Sequence, residues 1–382
     1  MTTTTAPAID KPTPAMVRSD VRNSALAVLR GFCILGVVSI HFTGGRISFD
    51  DAVAPTSMRL LYLAVNQYFQ FVVPAFVFLS GWALAGKELG GVGEWGRFYR
   101  RRAGALLIPY FFFVLVYLGF ECQPAWIAAH RHSLGQFVIW VGYYGMDTHG
   151  YFVPLIAQLY LLFPALDAWR QRLDSMRGGA RVLGEALTLA GLTAILLGLC
   201  VLCWKGSLDW NDVRPLGPFY LLYFYLGMLW RRVKAPEAWT LTSKVRALGL
   251  LMVGGICLLI VGWGFALAQL VDLKPSSQLG EMSLSYCRAA SILQSLGACG
   301  LMAFVLSATP RLNVPLVREW GDASMTIFLW HGFLLWDTCL GFYRLWSNVP
   351  VNATALLIPA LVCTLLSVAG WAAKCMLRFL HR

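Results

Sequence analysis

Long apolar segments constrain the fold of this 382-residue chain more than any other feature. About ten such segments occur, and about twenty apolar residues are the length of a helix that crosses the hydrocarbon core of a bilayer. Lipid offers no hydrogen-bond partners, so a spanning segment must pair its own backbone groups, as a helix does. The sequence therefore predicts an all-α polytopic membrane protein. We predict about ten transmembrane helices, at residues 25–43, 66–86, 103–120, 151–169, 182–203, 215–230, 247–271, 289–307, 322–341 and 352–377.

The composition supports this fold class. Hydrophobic residues make up 58% of the chain and charged residues 13%, whereas soluble domains carry about 25% charged residues. So few charges cannot cover a water-facing surface, and most of the surface must face lipid. Residues 1–22, rich in Thr and Pro, are predicted to be a disordered cytoplasmic tail. Residues 23–382 are predicted to be one membrane domain.

The distribution of basic residues predicts the orientation. With the N-terminus in the cytoplasm, the cytoplasmic segments hold 22 of the 31 Lys and Arg residues and the external loops hold 8. Basic residues concentrate on the cytoplasmic side of membrane proteins, so we expect both termini there. This asymmetry also accounts for the net charge of +12 without nucleic-acid binding. Residues 133–145 are apolar but too short to span comfortably, and we expect them to be re-entrant or interfacial.

Ten cysteines are scattered along the chain, mostly within apolar segments, where a free thiol behaves as a small hydrophobic group. Cys200 and Cys203 form a single CxxC motif near a predicted helix end. A zinc site of this type needs a second pair. No two histidines have the i, i+4 spacing of metal ligands on a helix, and we therefore predict no metal site. A redox role for the CxxC pair stays open.

The first predicted span, LRGFCILGVVSIHF, carries Arg30 near its cytoplasmic end and His41 near its outer end. Eleven residues at about 100° each bring the two within about 20° around the helix and about 16 Å along it. A charge in hydrocarbon costs about 2.5–3.5 kcal/mol on insertion scales. We therefore expect both side chains to face one interior path. Alternatively, each reaches its own interface, and this helix alone does not decide between the two.

Four further motifs follow in order. They are FVFLSGWALAG at residues 76–86, RFYRRRAGALLIPYFF at 97–112, YFVPLIAQLYLLFPAL at 151–166 and ASMTIFLWHGFLLW at 323–336. Together with the opening LRG…H helix, this ordered set resembles the acyltransferase-3 family of bacterial integral-membrane acyltransferases over nearly the whole chain. Two places depart from the family pattern. Ile156 and Ala157 stand where many members carry Glu, and Leu329 replaces the more usual Tyr.

The resemblance implies an acyl-CoA-dependent enzyme of the bacterial inner membrane. Members of the family transfer an acyl group, most often acetyl, from cytoplasmic acyl-CoA to a hydroxyl, usually of a surface glycan or an antibiotic-like molecule. Acetyl-CoA or another acyl-CoA would be a co-substrate, with no permanently bound cofactor. The Arg and His that the family treats as essential correspond to Arg30 and His41.

The chemistry of acyl transfer suggests roles for the polar residues of the spans. His41 is the candidate general base, because imidazole titrates near neutral pH and can take the proton of an attacking hydroxyl; an acyl-histidine intermediate is the alternative. His331, Ser80 and Gln158 could donate hydrogen bonds to an oxyanion or a substrate. Each could equally be a satisfied polar residue between helices. His149, in a predicted external loop, could contact the acceptor.

The basic residues at the inner mouth of the third span are candidates for binding the phosphates of CoA, since guanidinium groups match phosphate oxygens. They could instead serve only to anchor the protein on the cytoplasmic side. Together with Arg30, these candidates are Arg97, Arg100, Arg101 and Arg102.

A second hypothesis is a transporter or flippase for a lipid-linked sugar. In that case Arg30 would bind the phosphate of the substrate, and no catalytic base would be needed. We find no internal repeat of the type that transporters contain, and carboxylates within the spans are scarce, which weighs against ion-coupled transport. Consumption of acetyl-CoA separates the two hypotheses.

Overall fold

The computed structural model of the protein describes residues 14–49, 56–85, 92–120, 133–147, 149–232, 241–271, 287–336 and 356–380. Within these ranges every regular element is an α-helix or a short 3-10 helix. The helices are α1 (Pro14–Phe49), α2 (Thr56–Tyr68), α3 (Val72–Leu84), α4 (Val92–Phe120), α5 (Leu134–Gly142), α6 (Phe152–Ser175), α7 (Gly179–Trp204), α8 (Trp210–Val213), α9 (Gly217–Arg232), α10 (Leu241–Val271), α11 (Ala289–Ala308), α12 (Pro315–Asp322), α13 (Ser324–Trp336) and α14 (Ile358–Leu380). The 3-10 turns are Phe69–Phe71, Gly145–Asp147 and His149–Tyr151.

The prediction of an all-α polytopic membrane protein is confirmed. In the described residues, eight helical stretches are long and apolar enough to cross a membrane. The other two predicted spans correspond to shorter apolar helices: α9 has 16 residues, and the described α13 has 13. Helix α5, with nine residues, is too short to cross.

The N-terminal boundary of the membrane domain stays a prediction. Helix α1 begins at Pro14, inside the segment 1–22 that we expected to be a disordered tail. Residues 1–13 lie outside the described part of the chain.

Helix α1 lies at the centre of the structure and packs against α2, α3, α12, α13 and α14. Its contact with α12 is very close. A Cβ at Gly31 would lie 1.8 Å from the carbonyl oxygen of Val317, and one at Gly321 would lie 1.8 Å from that of Ala27. Only glycine fits at such a distance. The glycine of the LRG motif therefore lets α12 pack directly beside Arg30.

A buried amide network fixes the C-terminal half of α1. Asn66 of α2 donates to the Ile40 carbonyl at 2.9 Å and to the Thr43 hydroxyl at 3.2 Å. Its side-chain oxygen accepts from Gln67 at 3.1 Å and from Gln70 at 2.9 Å. Buried amides in lipid must be hydrogen-bonded to be tolerated. The network therefore holds the turn of α1 that carries His41 in one position. The sequence did not indicate this network.

Helices α4, α7 and α10 form much of the lipid-facing surface. Only 17% of the α4 span and 22% of the α7 and α10 spans are buried inside the protein. Their outward side chains are large and apolar, with Ile108, Leu115 and Leu250 exposed by 69% to 75%. Such exposure is expected where lipid replaces water as the solvent. The polar site must therefore lie among the inner helices.

Candidate active site

Three histidines from three separate parts of the chain meet near the C-terminal end of α1, the end that the basic residues predict to be external. The ring centroids of His41 and His331 are 5.1 Å apart, those of His149 and His331 4.4 Å, and those of His41 and His149 6.0 Å. His331 is fully buried and His149 is 6% exposed, while His41 is partly buried. The structure thus brings together three residues for which the sequence suggested separate roles. We call them the histidine cluster.

The backbone of α13 sets the orientation of two of these rings. Nδ1 of His331 lies 3.1 Å from the Ile327 carbonyl and 2.8 Å from the Phe328 carbonyl. Nε2 of His149 lies 3.2 Å from the Leu329 carbonyl. A carbonyl oxygen only accepts, so these ring nitrogens must carry the protons. In a neutral ring the other nitrogen can then accept a proton. This nitrogen is Nε2 in His331 and Nδ1 in His149.

Gly332 makes room for the ring of His149. A Cβ at this position would lie 2.7 Å from Cε1 of His149 and 3.3 Å from its Nδ1. Ordinary carbon contacts begin near 3.4 Å, so any side chain at Gly332 would push the ring away. We did not identify Gly332 from the sequence. The available signal was a glycine directly after His331 in the LWHG motif.

Aromatic side chains enclose the histidine cluster. The ring centroids of Phe113 in α4 and Phe328 in α13 lie 5.7 and 5.5 Å from that of His149. Trp330 and Phe333 each pack edge-on against Phe113 at 5.8 Å. These apolar walls limit the access of water and strengthen the electrostatic interactions inside.

Arg214 adds a positive charge beside the cluster. Its guanidinium carbon lies 5.0 Å from the ring centroid of Tyr151, and it is close enough to His41 to interact electrostatically. The Nε atom of Arg214 is buried and has no hydrogen-bond partner within the described residues. No sequence motif marks Arg214, because it lies in a polar stretch between two predicted spans.

A pair of tyrosines positions the segment that carries Arg214. Tyr143 donates to the Asp212 carbonyl and Tyr144 donates to the Asp212 carboxylate, both at 2.6 Å. Burial, with the nearby Asp212 charge, raises the pKa of Tyr143 above its usual value. Tyr143 therefore stays protonated and keeps donating at any physiological pH. Residues 133–145, expected to be re-entrant or interfacial, thus fold into α5 and a turn that holds α8.

Gln158 supports the same segment from the other side. Its amide nitrogen donates to the Pro215 carbonyl at 2.7 Å and to the Pro154 carbonyl at 3.3 Å. Its oxygen accepts from the Gly217 backbone at 3.0 Å. Both ends of the amide are therefore engaged in joining α6 to the start of α9, next to Arg214. A role of Gln158 in binding substrate stays a prediction.

Arg30 lies at the opposite end of the same helix face. It is partly buried and interacts electrostatically with Tyr160, Arg102 and Asp322. The guanidinium carbon of Arg102 lies 5.4 Å from the ring centroid of Tyr160. Arg30 and His41 therefore both point into the bundle rather than toward lipid. A continuous path between them stays a prediction.

The other arginines predicted to bind CoA lie further out. Arg97, Arg100 and Arg101 are exposed, and Arg97 pairs with Glu94 at 3.7 Å. Of the four arginines on α4, only Arg102 turns inward toward Arg30. The structure thus separates one interior arginine from three exposed ones, whose contact with CoA phosphates stays a prediction.

Ser80 lies near the level of Arg30, not of His41. Helices α2 and α3 run antiparallel to α1, since Asn66 bonds to Ile40 and a Cβ at Gly36 would touch Phe69 and Val72. Ser80 follows Val72 by two more turns, which carries it toward the N-terminal end of α1. Its predicted contact with substrate, which is untested, would therefore be with the donor.

A cleft of about 350 Å³ opens between α12, α13 and α14. Its charged lining residues are Glu319, Asp322 and Lys374, and none of the three histidines lines it. Two carboxylates against one ammonium make this cleft a poor site for the phosphates of CoA. Within the described residues, no group of three or more His, Cys, Asp or Glu side chains has the geometry to hold a metal ion.

These features define a class: a helical membrane protein with a buried histidine site at one end of a central helix and interior arginines at the other. The comparison with protein families identifies the class further. A family model described as an acyltransferase domain matches residues 23–370. The chain therefore belongs to the acyltransferase-3 family, and it is a membrane acyltransferase. Neither the search of curated proteins nor the search of solved structures gave a match.

Proposed function

We propose that this protein is an O-acyltransferase of the bacterial inner membrane. It moves an acyl group, which we propose is acetyl, from cytoplasmic acyl-CoA to a hydroxyl of a cell-surface or periplasmic carbohydrate. One observation carries the proposal. Three histidines, with ring centroids 4.4 to 6.0 Å apart, meet at the outer end of the helix whose inner end carries Arg30.

The donor would enter from the cytoplasm. Arg30 and Arg102 offer interior positive charge for a CoA phosphate, and Ser80 lies at a similar level for contact with the pantetheine arm. Arg97, Arg100 and Arg101 remain candidates for the nucleotide end. The pantetheine arm is long and thin, which suits the roughly 16 Å between Arg30 and His41. The thioester carbon would then come to rest among the histidines.

His41 would act as the general base. The acceptor hydroxyl loses its proton to His41 while its oxygen attacks the thioester carbon, forming a tetrahedral intermediate with one negative oxygen. When the intermediate collapses, the carbon–sulfur bond breaks, the new ester forms, and the CoA thiolate takes up the proton. General-base catalysis of this type contributes roughly 10²- to 10⁴-fold in rate. An acyl-histidine intermediate is the alternative route to the same products.

His331, His149 and Arg214 would support this step. The ring of His331 lies closest to that of His41 and could relay the proton. Arg214 supplies the positive charge that a tetrahedral oxyanion requires in an enclosed site. His149 would orient the acceptor directly. Gln158 would do so indirectly, because it holds the segment that carries Arg214. A flippase would need none of this machinery, since transport makes and breaks no ester bond.

Mass spectrometry of surface glycans and periplasmic glycosides tests the proposal. Cells with the protein should yield a carbohydrate heavier by one acyl group than cells without it. Cells producing the His41→Ala protein at equal membrane levels should match the cells without it. Identical glycans in all three strains would contradict the proposal. So would a carbohydrate that carries the acyl group at the wild-type level in cells with the His41→Ala protein.

A further inference from the structure

The cleft between α12, α13 and α14 is a polar cavity that is separate from the histidine cluster. Its volume of about 350 Å³ lies at the lower end of the range for small-ligand sites, about 300–1,000 Å³. Its lining includes two carboxylates, those of Glu319 and Asp322, and one ammonium, that of Lys374. The acyl-transfer step proposed above uses none of these three side chains.

Contacts between the helices fix the walls of this cleft. Trp320 of α12 donates to the Thr364 hydroxyl of α14 at 3.3 Å. Gly370 of α14 lies so close to α13 that a Cβ there would be 3.3 Å from Cγ2 of Thr326. Thr326 and Gly370 both line the cleft. The cleft is therefore enclosed by helices that are packed against one another.

The opposite charges of the cleft do not pair with each other. Within the described residues, Lys374 forms an ion pair with neither Glu319 nor Asp322, although all three line the same cavity. Asp322 already faces the charges of Arg318, at 3.8 Å, and of Arg30. Glu319 on α12 and Lys374 on α14 are therefore the two charges that remain for a ligand. A small molecule that carries both a positive and a negative group would complement them.

The cleft continues into the lipid-facing surface of α14. Leu361, Leu365 and Val368 follow one another at helical spacing and are 48% to 58% exposed. Val368 also lines the cleft, as does Trp371, which is 68% exposed. A Trp beside a Lys is typical of the membrane–water interface, where Lys extends its ammonium toward the lipid head groups. A lipid in this place would lay its acyl chains along α14 and its head group in the cleft.

We propose that this cleft binds the head group of a phosphatidylethanolamine. The phosphate pairs with the ammonium of Lys374. The primary ammonium of the lipid donates to the carboxylate of Glu319 and to the hydroxyl oxygen of Thr326. Helix α12 joins the eighth and ninth predicted spans on the cytoplasmic side of the predicted topology, so the lipid belongs to the cytoplasmic leaflet. The proposal does not depend on the proposed acyl transfer.

Other head groups fit the cleft less well. A choline group has no N–H to donate, and proteins bind quaternary ammonium groups in aromatic cages. Among the described residues that line the cleft, Trp371 is the only aromatic one, which is too few for a cage. Phosphatidylglycerol brings a phosphate without an ammonium, and the two carboxylates would repel it. A free head group lacks the acyl chains that would cover the apolar surface of α14.

Native mass spectrometry of the full-length protein in detergent tests the proposal. The delipidated protein is titrated separately with phosphatidylethanolamine, phosphatidylglycerol and phosphatidylcholine that carry the same acyl chains. We expect one phosphatidylethanolamine to bind at least about fivefold more tightly than either other lipid. Glycerophosphoethanolamine, the same head group without acyl chains, should not displace it at equal concentration.

Variants of the two charges locate the bound lipid. Glu319→Gln and Lys374→Gln should each weaken phosphatidylethanolamine binding about three- to tenfold, as expected for the loss of one exposed charge pair. The matched controls are Glu94→Gln and Arg246→Gln, which each remove a charge of the same sign at a position outside the cleft. Both should leave the binding unchanged.

Three results would overturn the proposal. Equal affinity for the three lipids would show that the protein does not recognise the head group. Unchanged binding by either cleft variant, or an equal loss with its control, would place the bound lipid elsewhere. Displacement by glycerophosphoethanolamine would show that the ligand is a soluble head group and not a lipid. Because the measurement counts bound lipid, its outcome is independent of any acyltransferase assay.

Discussion

Replacing Gly332 with alanine tests whether the position of His149 matters for catalysis. The added Cβ would lie 2.7 Å from Cε1 of His149, whereas ordinary contacts begin near 3.4 Å. The ring must therefore move by about 0.7 Å. If the shift lies along the 3.2 Å hydrogen bond to Leu329, that distance grows to about 3.9 Å and the bond is lost.

The expected loss of activity follows from this displacement. A misplacement of about 1 Å in a catalytic group can cost on the order of 10²-fold in rate. We therefore expect Gly332→Ala to lower kcat by about 10- to 100-fold, which corresponds to about 1.4–2.7 kcal/mol of transition-state stabilisation. The change adds one methyl group and removes no polar atom, so it should leave the amount of folded protein unchanged.

The assay follows release of the CoA thiol from acetyl-CoA by purified protein in lipid nanodiscs with an acceptor glycan extract. Gly264→Ala is the matched control, because a Cβ at that position of α10 meets nothing within 4 Å. In a His149→Ala background, Gly332→Ala should have almost no further effect. Activity of Gly332→Ala within twofold of wild type would refute the reasoning. So would a double variant whose loss of activity equals the sum, in free energy, of the losses from Gly332→Ala and His149→Ala.

Three further predictions follow from the surroundings of the cluster. Arg102→Gln should raise the KM for acyl-CoA about tenfold, as measured by initial rates, and an unchanged KM would exclude its contact with the donor. Arg214→Gln should lower kcat by about 10- to 100-fold with little change in that KM, because it removes a charge facing the oxyanion; an unchanged kcat would exclude this role. Asn66→Leu leaves buried partners unsatisfied at a cost of about 1–3 kcal/mol, and it should lower the melting temperature in detergent by at least about 2 °C.

Periodic and compositional features allowed most of the fold to be predicted. Span length depends only on bilayer thickness, so each predicted segment corresponds to a helix in the described residues. That Arg30 and His41 lie on one face of the helix followed from the helical repeat alone. The breaks inside spans were not predictable in this way. The turn Phe69–Phe71 interrupts the second predicted span and packs against α1.

The site was predicted only where a residue lay in a recognisable motif. His41 and His331 are in the opening helix and the LWH segment, and the structure brings them together. The burial of His149 depends on a 3-10 turn and on space left by Gly332, and neither has a periodic signal. Arg214 lies on a segment that distant tyrosines hold through Asp212 and that Gln158 holds through Pro215 and Gly217. Such contacts between segments far apart in sequence require the folded structure.

Transfer of labelled acetyl groups across the membrane tests the central claim most directly. Proteoliposomes would hold radiolabelled acetyl-CoA inside, with the acceptor glycan outside and the protein oriented with its termini inside. We predict that the wild-type protein moves the label into the external glycan and releases CoA inside in equal amounts. His41→Ala, reconstituted to the same level, should transfer less than about 1% of the label. Label in the glycan at wild-type rates with His41→Ala would contradict the account.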